Sequence, residues 1–212
     1  MDTGILIIMK EMKIFRIIRL FVFLAGVSIW CASCTPSRLL LQKKIAYQGN
    51  GVCRAAILPF GNTSRFDQGD IVFQRIFASQ MSRNTGIDIA SEGDVRKIYT
   101  ELRIYPNAMP DIDQLRVVGS RLKADLLVGG RITEMEEKMG DNFVNPVLSV
   151  DMQVYDGKSG KILWTTYHRR EGKEFRKVMH FGLVNTVTQL SQIMSDEILE
   201  VWAEEGVKKC GE

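Results

Sequence analysis

Histidine is scarce in this sequence, with two residues among 212, His168 and His180. Neither has a cysteine or an acidic residue at metal-ligand spacing, so a zinc or iron site is not expected. A phosphate loop of the form G-x-x-x-x-G-K-S/T is missing. The stretch Asp156 to Gly160 contains glycine, lysine and serine, but it links two strand-like segments and is better read as a hairpin turn. There is no G-x-S-x-G elbow, and Ser, His and Asp are too scattered to nominate a triad. Charge of one sign is missing as well: 28 Lys and Arg against 25 Asp and Glu leave +3, which is no basis for nucleic-acid binding. No internal repeat or low-complexity tract is present. With 45% hydrophobic and 25% charged residues, the composition is that of one ordinary globular domain.

The average conceals an asymmetry at the N-terminus. Lys10, Lys13, Arg16 and Arg19 precede an apolar run from Leu20 to Trp30, and then come Cys31-Ala32-Ser33-Cys34. Basic, apolar, small and then cleaved is the order of a secretory signal, and the run is far short of the roughly 20 residues a membrane-spanning helix needs. A second apolar patch, Gly4 to Met9, is one that a signal does not need, which leaves Met9 or Met12 as alternative initiators. Ala32-Ser33-Cys34 resembles a bacterial lipobox, although Cys31 stands where an aliphatic residue is usual; Cys31 itself is disfavoured by bulky Trp30 before it. The resemblance implies a signal peptide over 1–33 and a lipidated N-terminus at Cys34, carrying a covalent diacylglycerol and an acyl chain such as palmitate. An ordinary cleaved signal with a free periplasmic product is the alternative. Thr35, not Asp, follows the cysteine, which by the bacterial sorting rule implies the outer membrane over the inner.

Cleavage after residue 33 removes two of the three net positive charges and leaves Cys34, Cys53 and Cys210. With Cys34 lipidated, the other two are an even pair in an oxidising compartment, either bridged or as two thiols.

Residues 34–52 are polar and mixed and read as a lipidated terminus and tether. Arg54 to Phe60 is a short buried strand, and Asp70 to Asn84 turns to helical period with Val72, Phe73, Ile76, Phe77 and Met81 on one face. Ile87 to Ala90 is a strand. Ser91 with Asp94 caps a helix to about Leu102, and Asp111 with Gln114 opens another through Leu122. Ala124 to Met135 is a strand in which Leu126, Val128 and Ile132 share a parity that Arg131 and Thr133 oppose, and Gly129-Gly130 predicts a bulge or a close backbone approach. Leu148, Val150, Met152 and Val154 alternate with Ser149, Asp151, Gln153 and Tyr155, predicting one buried and one wet face; Ile162 to His168 returns as its antiparallel partner. Thr186 with Gln189 starts a last helix whose face is Leu190, Met194, Ile198, Val201 and Trp202. The expected fold is a single compact α/β domain over 53–204, of order βα-β-αα-βββ-α, with a mixed sheet, a C-terminal hairpin, helices packed on the sheet and a tail over 205–212.

Three stretches carry a family resemblance: Ala56 to Asn62 (AILPFGN), Ala124 to Ile132 (ADLLVGGRI), and Leu148 to Trp164, which ends in DGKSGKILW. In that order, behind a lipoprotein signal, they resemble the bacterial envelope lipoproteins related to the curli secretion lipoprotein CsgG. That set includes lipoprotein activators of penicillin-binding proteins, PelC-type exopolysaccharide export lipoproteins and the N-terminal domain of TolB. The likeness spans about residues 53 to 203. Its connections Arg103 to Pro110, Glu136 to Asn145 and Glu171 to Leu183 are polar or mixed and offer no outward apolar band for membrane-inserted hairpins. The resemblance therefore implies the periplasmic module alone, a non-catalytic adaptor with no small-molecule cofactor. It would be held to the outer membrane by lipid and bind an envelope protein partner or itself, in the alternative as a ring-forming export subunit. Tyr155, Tyr167, Arg169, Arg170, Lys173 and Arg176 are the candidate contact residues, the plainer alternative being a solvated strand face and loop. Trp164 and Trp202 suit core or interface packing. An envelope hydrolase, the third reading, would need paired carboxylates, with Glu134 and Asp151 the strand acids to test.

Overall fold

The computed structural model describes residues 39–105, 108–139, 143–177 and 181–211. Cys34, the signal segment and His180 lie outside the described residues. Strands Leu40–Lys43 (β1), Arg54–Ile57 (β2), Gly61–Asn62 (β3), Asp88–Ile89 (β4), Leu126–Met139 (β5), Val144–Asp156 (β6) and Ile162–Glu171 (β7) form one mixed sheet. The helices are Gly69–Thr85 (α1), Glu92–Glu101 (α2), Ile112–Leu122 (α3) and Val187–Glu204 (α4). The path across the sheet is β1-β7-β6-β5-β2-β4, with β3 also on β5. Pairs β2·β4, β2·β5 and β3·β5 are parallel; β5·β6, β6·β7 and β1·β7 are antiparallel. This is the expected α/β class.

Local chemistry accounts for the helix starts. Ser91 accepts from the Asp94 amide, Asp111 and Gln114 close a full capping box, and Thr186 accepts from the Gln189 amide. Strand parity then sorts the core into two layers. Ala55, Ile57, Leu126, Val128, Ile132, Leu148, Val150, Met152 and Val154 meet α1 and α4. Ala56, Leu58, Leu127 and Tyr155 meet α2 and α3 on the other side. Through the first layer runs an aromatic chain, Phe60, Phe73, Phe77, Trp202, Trp164, with ring centroids 5.4 to 6.0 Å apart. Both tryptophans are thus core residues, and Trp202 Nε1 donates to Thr166 Oγ1 at 2.8 Å.

Three expectations need correction, and a fourth, left open between two forms, is decided. Residues 40–43, inside the expected tether, form an edge strand: Leu40 opposes Tyr167, and Leu41 packs against the first core layer. The expected tail is tied in, because Val207 is buried and Cys210 is bonded to Cys53, with Cα atoms 4.9 Å apart. Val52 and Lys209 form a parallel bridge beside that bond, and Asp125 accepts from the Cys53 and Arg54 amides at 2.8 and 3.2 Å, fixing where β2 begins. The connection expected over 136–145 belongs in large part to the β5–β6 hairpin, which pairs out to Met139 and Val144. The strand bulge falls at Ile132 to Glu134 instead of at the two glycines. Gly130 instead answers to close approach, since a Cβ there would lie 2.9 Å from the Asp151 carbonyl oxygen and 3.0 Å from the Phe60 ring.

Candidate functional site

Helices α2 and α3 cover only part of their side of the sheet. Beyond them, β5, β6, β7 and β1 present an uncovered face whose side chains stand in register. Arg131 opposes Asp151, Asp151 opposes Tyr167, and Tyr167 opposes Leu40, so one row of four side chains crosses four strands. All four are exposed. A parallel row is Glu134, Ser149 and Arg169.

Hydrogen bonds fix how these rows sit. Thr133, displaced by the bulge, donates to Ser149 Oγ at 2.9 Å, and Ser149 donates to the Tyr167 hydroxyl oxygen at 3.1 Å. This three-strand hydroxyl relay holds Tyr167, a large aromatic 42% exposed, on the open face. Arg169 donates to Glu134 (2.8 Å) and to Glu171 (3.0 Å), and its guanidinium holds the Glu134 carboxyl below the usual carboxylate range. Lys173 and Arg169 together pull Glu171 down to about 2, Lys173 contributing most. Asp151 goes the other way: desolvation by its surroundings raises its pKa although the residue is exposed at the surface, and Arg131 opposes the rise.

At one end of the first row lies a cleft of about 200 Å³, with Gly130 on its floor and Pro59, Gly61, Met109, Arg131, Asp151 and Gln153 around it. The Tyr155 hydroxyl donates to Gln153 Oε1 at 2.5 Å and lies 3.0 Å from Met109 Sδ. Burial pushes that hydroxyl up to about 12, so it stays protonated.

The six candidate contact residues therefore separate into four places. Tyr167 and Arg169 lie on the open face. Tyr155, expected on the wet face, is only 3% exposed, because α2 and α3 bury the near end of that face. Arg170 points to the opposite side, where it donates to both Glu197 oxygens (3.0 and 2.7 Å) and to Glu174, while buried His168 meets Glu197 at 2.5 Å. These bonds lock β7 to α4. Burial works to raise Glu197, but the bonds from His168 and Arg170 outweigh it and leave the carboxyl lowered. Lys173 and Arg176 sit near the tip of the β5–β6 hairpin, Lys173 through its amide on Asn145 Oδ1 (2.8 Å) and Arg176 over the Phe143 ring (5.0 Å). Sequence reasoning missed Leu40 and left Arg131 out of the contact set, although the parity opposing the core already placed Arg131 on the second face.

Chemically, the open face combines an aromatic, paired and unpaired charges and amide groups, a surface suited to protein recognition. Glu134 is held ionised by Arg169, which takes it out of service as a proton donor. The segment Asp156–Gly160 is the tight turn between β6 and β7: Asp156 Oδ1 accepts from the Ser159 amide and hydroxyl, and Gly160 adopts φ 67°. Among the described residues no group of three or more His, Cys, Asp or Glu is placed to hold a metal, and no helix is long and apolar enough to cross a membrane.

The architecture, a mixed sheet with a helical pair on each side, has counterparts among solved structures. The PelC dodecamer from Paraburkholderia phytofirmans matches at a TM-score of 0.51 and 14% identity, over 81% of this chain and 100% of that one. A point variant of the same dodecamer gives 0.51 and 14% over 76% and 96%. The lipoprotein GNA1162 from Neisseria meningitidis follows at 0.47 and 14%, over 72% and 99%. No protein-family model and no curated sequence matches the chain. The likeness to PelC is one of fold.

Proposed function

We propose that this chain is a non-catalytic lipoprotein of the CsgG-related set, anchored through Cys34 to the periplasmic side of the outer membrane, and that it acts by binding a protein of an envelope export or biogenesis machine. The observation that carries the reading is the uncovered row Arg131, Asp151, Tyr167 and Leu40 on an otherwise helix-packed sheet. An exposed aromatic flanked by charges, held in place by a hydroxyl relay, has the composition of an interface centre. Of the two strand acids a hydrolase would need as a pair, Glu134 is locked in a salt bridge with Arg169.

The double variant Arg131→Glu with Tyr167→Ala tests this. The wild-type chain should retain a discrete envelope protein on purification from crosslinked cells, and the variant, with its fold intact by circular dichroism, should lose it; no retained protein, or undiminished retention by the variant, would contradict the proposal. A second reading is that the bound protein is another copy, as in the PelC dodecamer. The mass of the full chain in detergent separates the two: a ring predicts a large stable homo-oligomer, and a strict monomer at high concentration counts against it.

A further inference from the structure

The edge strand β1 shortens the leash. Leu40, not the start of β2, is the first residue held in the sheet, and six Cα steps separate it from Cys34. Fully extended, six steps reach about 22 Å at most. The sheet itself extends comparably far in that direction. Because β1 runs antiparallel to β7, Leu39 lies on the side of Leu40 where β7 finishes and the β5–β6 hairpin projects. From Asp151, which shares the Leu40 row, β6 runs back seven residues to Val144, or about 23 Å at strand rise. A membrane that holds Cys34 therefore lies no farther out than the hairpin end.

That end is unusual in composition. Met139 is 84% and Phe181 77% exposed, the highest values among the large exposed hydrophobic residues apart from Tyr105. Phe143 lies beside them under the Arg176 guanidinium, and the Lys177 amide donates to the Phe181 carbonyl, which brings the two segments to one place. Among the described residues, the acids nearby are engaged within the domain: Glu136 by Lys138 at 2.7 Å, Glu171 by Lys173 at 2.6 Å, Glu174 by Arg170 at 3.1 Å, and Glu137 by the Val187 amide at 3.1 Å; Asp141 of the hairpin tip lies outside the described residues. Arg176, over the half-buried Phe143 ring, and Lys177 are both exposed, next to the exposed Met139 and Phe181, the arrangement of a surface that seats at the lipid headgroup level.

We infer that the hairpin end, with Met139, Phe143 and Phe181 as the apolar contact and Arg176 and Lys177 at the headgroups, seats on the bilayer leaflet that carries the Cys34 lipid. This rests on the anchored reading proposed above. It turns the lipid from a flexible tether into one point of a two-point attachment, which fixes the sheet upright and points the open face sideways along the membrane.

The test uses the full lipidated chain reconstituted into phosphatidylethanolamine and phosphatidylglycerol vesicles. An environment-sensitive NBD label is placed at Met139→Cys or Phe181→Cys, and at Lys158→Cys in the β6–β7 turn as a control. Labels at 139 and 181 should brighten by about twofold or more on reconstitution and be quenched by nitroxide-bearing lipid, while the label at 158 does neither. Arg176→Glu with Lys177→Glu should reduce the response at 181. Water-like labels on a chain that floats with the vesicles, with flotation lost in Cys34→Ala, would overturn the seating and leave the anchor standing. Brightening without lipid quenching would assign the patch to a protein or a second copy and overturn it too. A wild-type chain that does not float would remove the anchor and the seating together.

Discussion

A methyl group added at Gly119 would lie 2.0 Å from the Gly157 carbonyl oxygen, whereas one added at Gly93 meets only Ser91 Oγ, at 3.9 Å. Both glycines are helical, so propensity alone favours alanine at each by about 0.5–1 kcal/mol. At Gly119 the backbone of the β6–β7 turn stands in the way, and moving it would cost about 1–3 kcal/mol as an overpacked contact. Urea denaturation should therefore show Gly119→Ala destabilised and Gly93→Ala stabilised. The carboxylates make a second residue-scale prediction. Glu171 titrates near 2 in the folded chain against 4.5 unfolded, and Glu134 and Glu197 are also lowered. The unfolded chain thus binds more protons between those values. The stability these groups contribute is full above about 4.5 and is lost as pH falls toward about 2. Urea midpoints measured across that window should fall with pH, and fall less steeply in Glu171→Gln.

At the scale of elements, the legible parts are those whose causes are local. The caps at Ser91, Asp111 and Thr186 involve partners three residues away, and the core parity of β6 repeats every second residue, so a reader of the sequence has all the participants in view. Strand β1 was hidden because its reason is distant: Leu40 to Lys43 are ordered by β7, and their polar neighbours resemble a linker. The outer half of the β5–β6 hairpin was hidden for a related reason. Its Glu136, Glu137 and Lys138 are charged and carry no alternation, and the contact that seats them, the Val187 amide on Glu137, comes from a segment 50 residues away. The disulfide acts at this scale too, tying the entry to β2 to the segment after α4. Replacing Cys53 and Cys210 by serine should lower the unfolding free energy by about 2–5 kcal/mol, and dithiothreitol should shift the wild-type urea midpoint in the same direction without affecting the variant.

For the whole molecule, the sequence pattern established one buried and one second face but could not say how far helices cover the second. That depends on where α2 and α3 come to rest, and they bury Tyr155 while leaving Asp151 and Tyr167 exposed. The candidate contacts consequently divided between an open face, a clamp on α4 and a hairpin end, three surfaces that one list of nearby cations and aromatics could not distinguish. Arg170 shows why: one residue from Arg169 in a strand, it faces the other side of the sheet and is bonded to Glu197.

The proposed binding surface is the open face. Photocrosslinking in intact cells tests it most directly, with p-benzoylphenylalanine at Tyr167 on the open face and at exposed Glu200 on α4. A discrete adduct of one identified envelope protein, or of a second copy, should form from position 167, disappear with Arg131→Glu, and be missing from position 200. Adducts from position 200 alone, or the same adduct unaffected by Arg131→Glu, would contradict it.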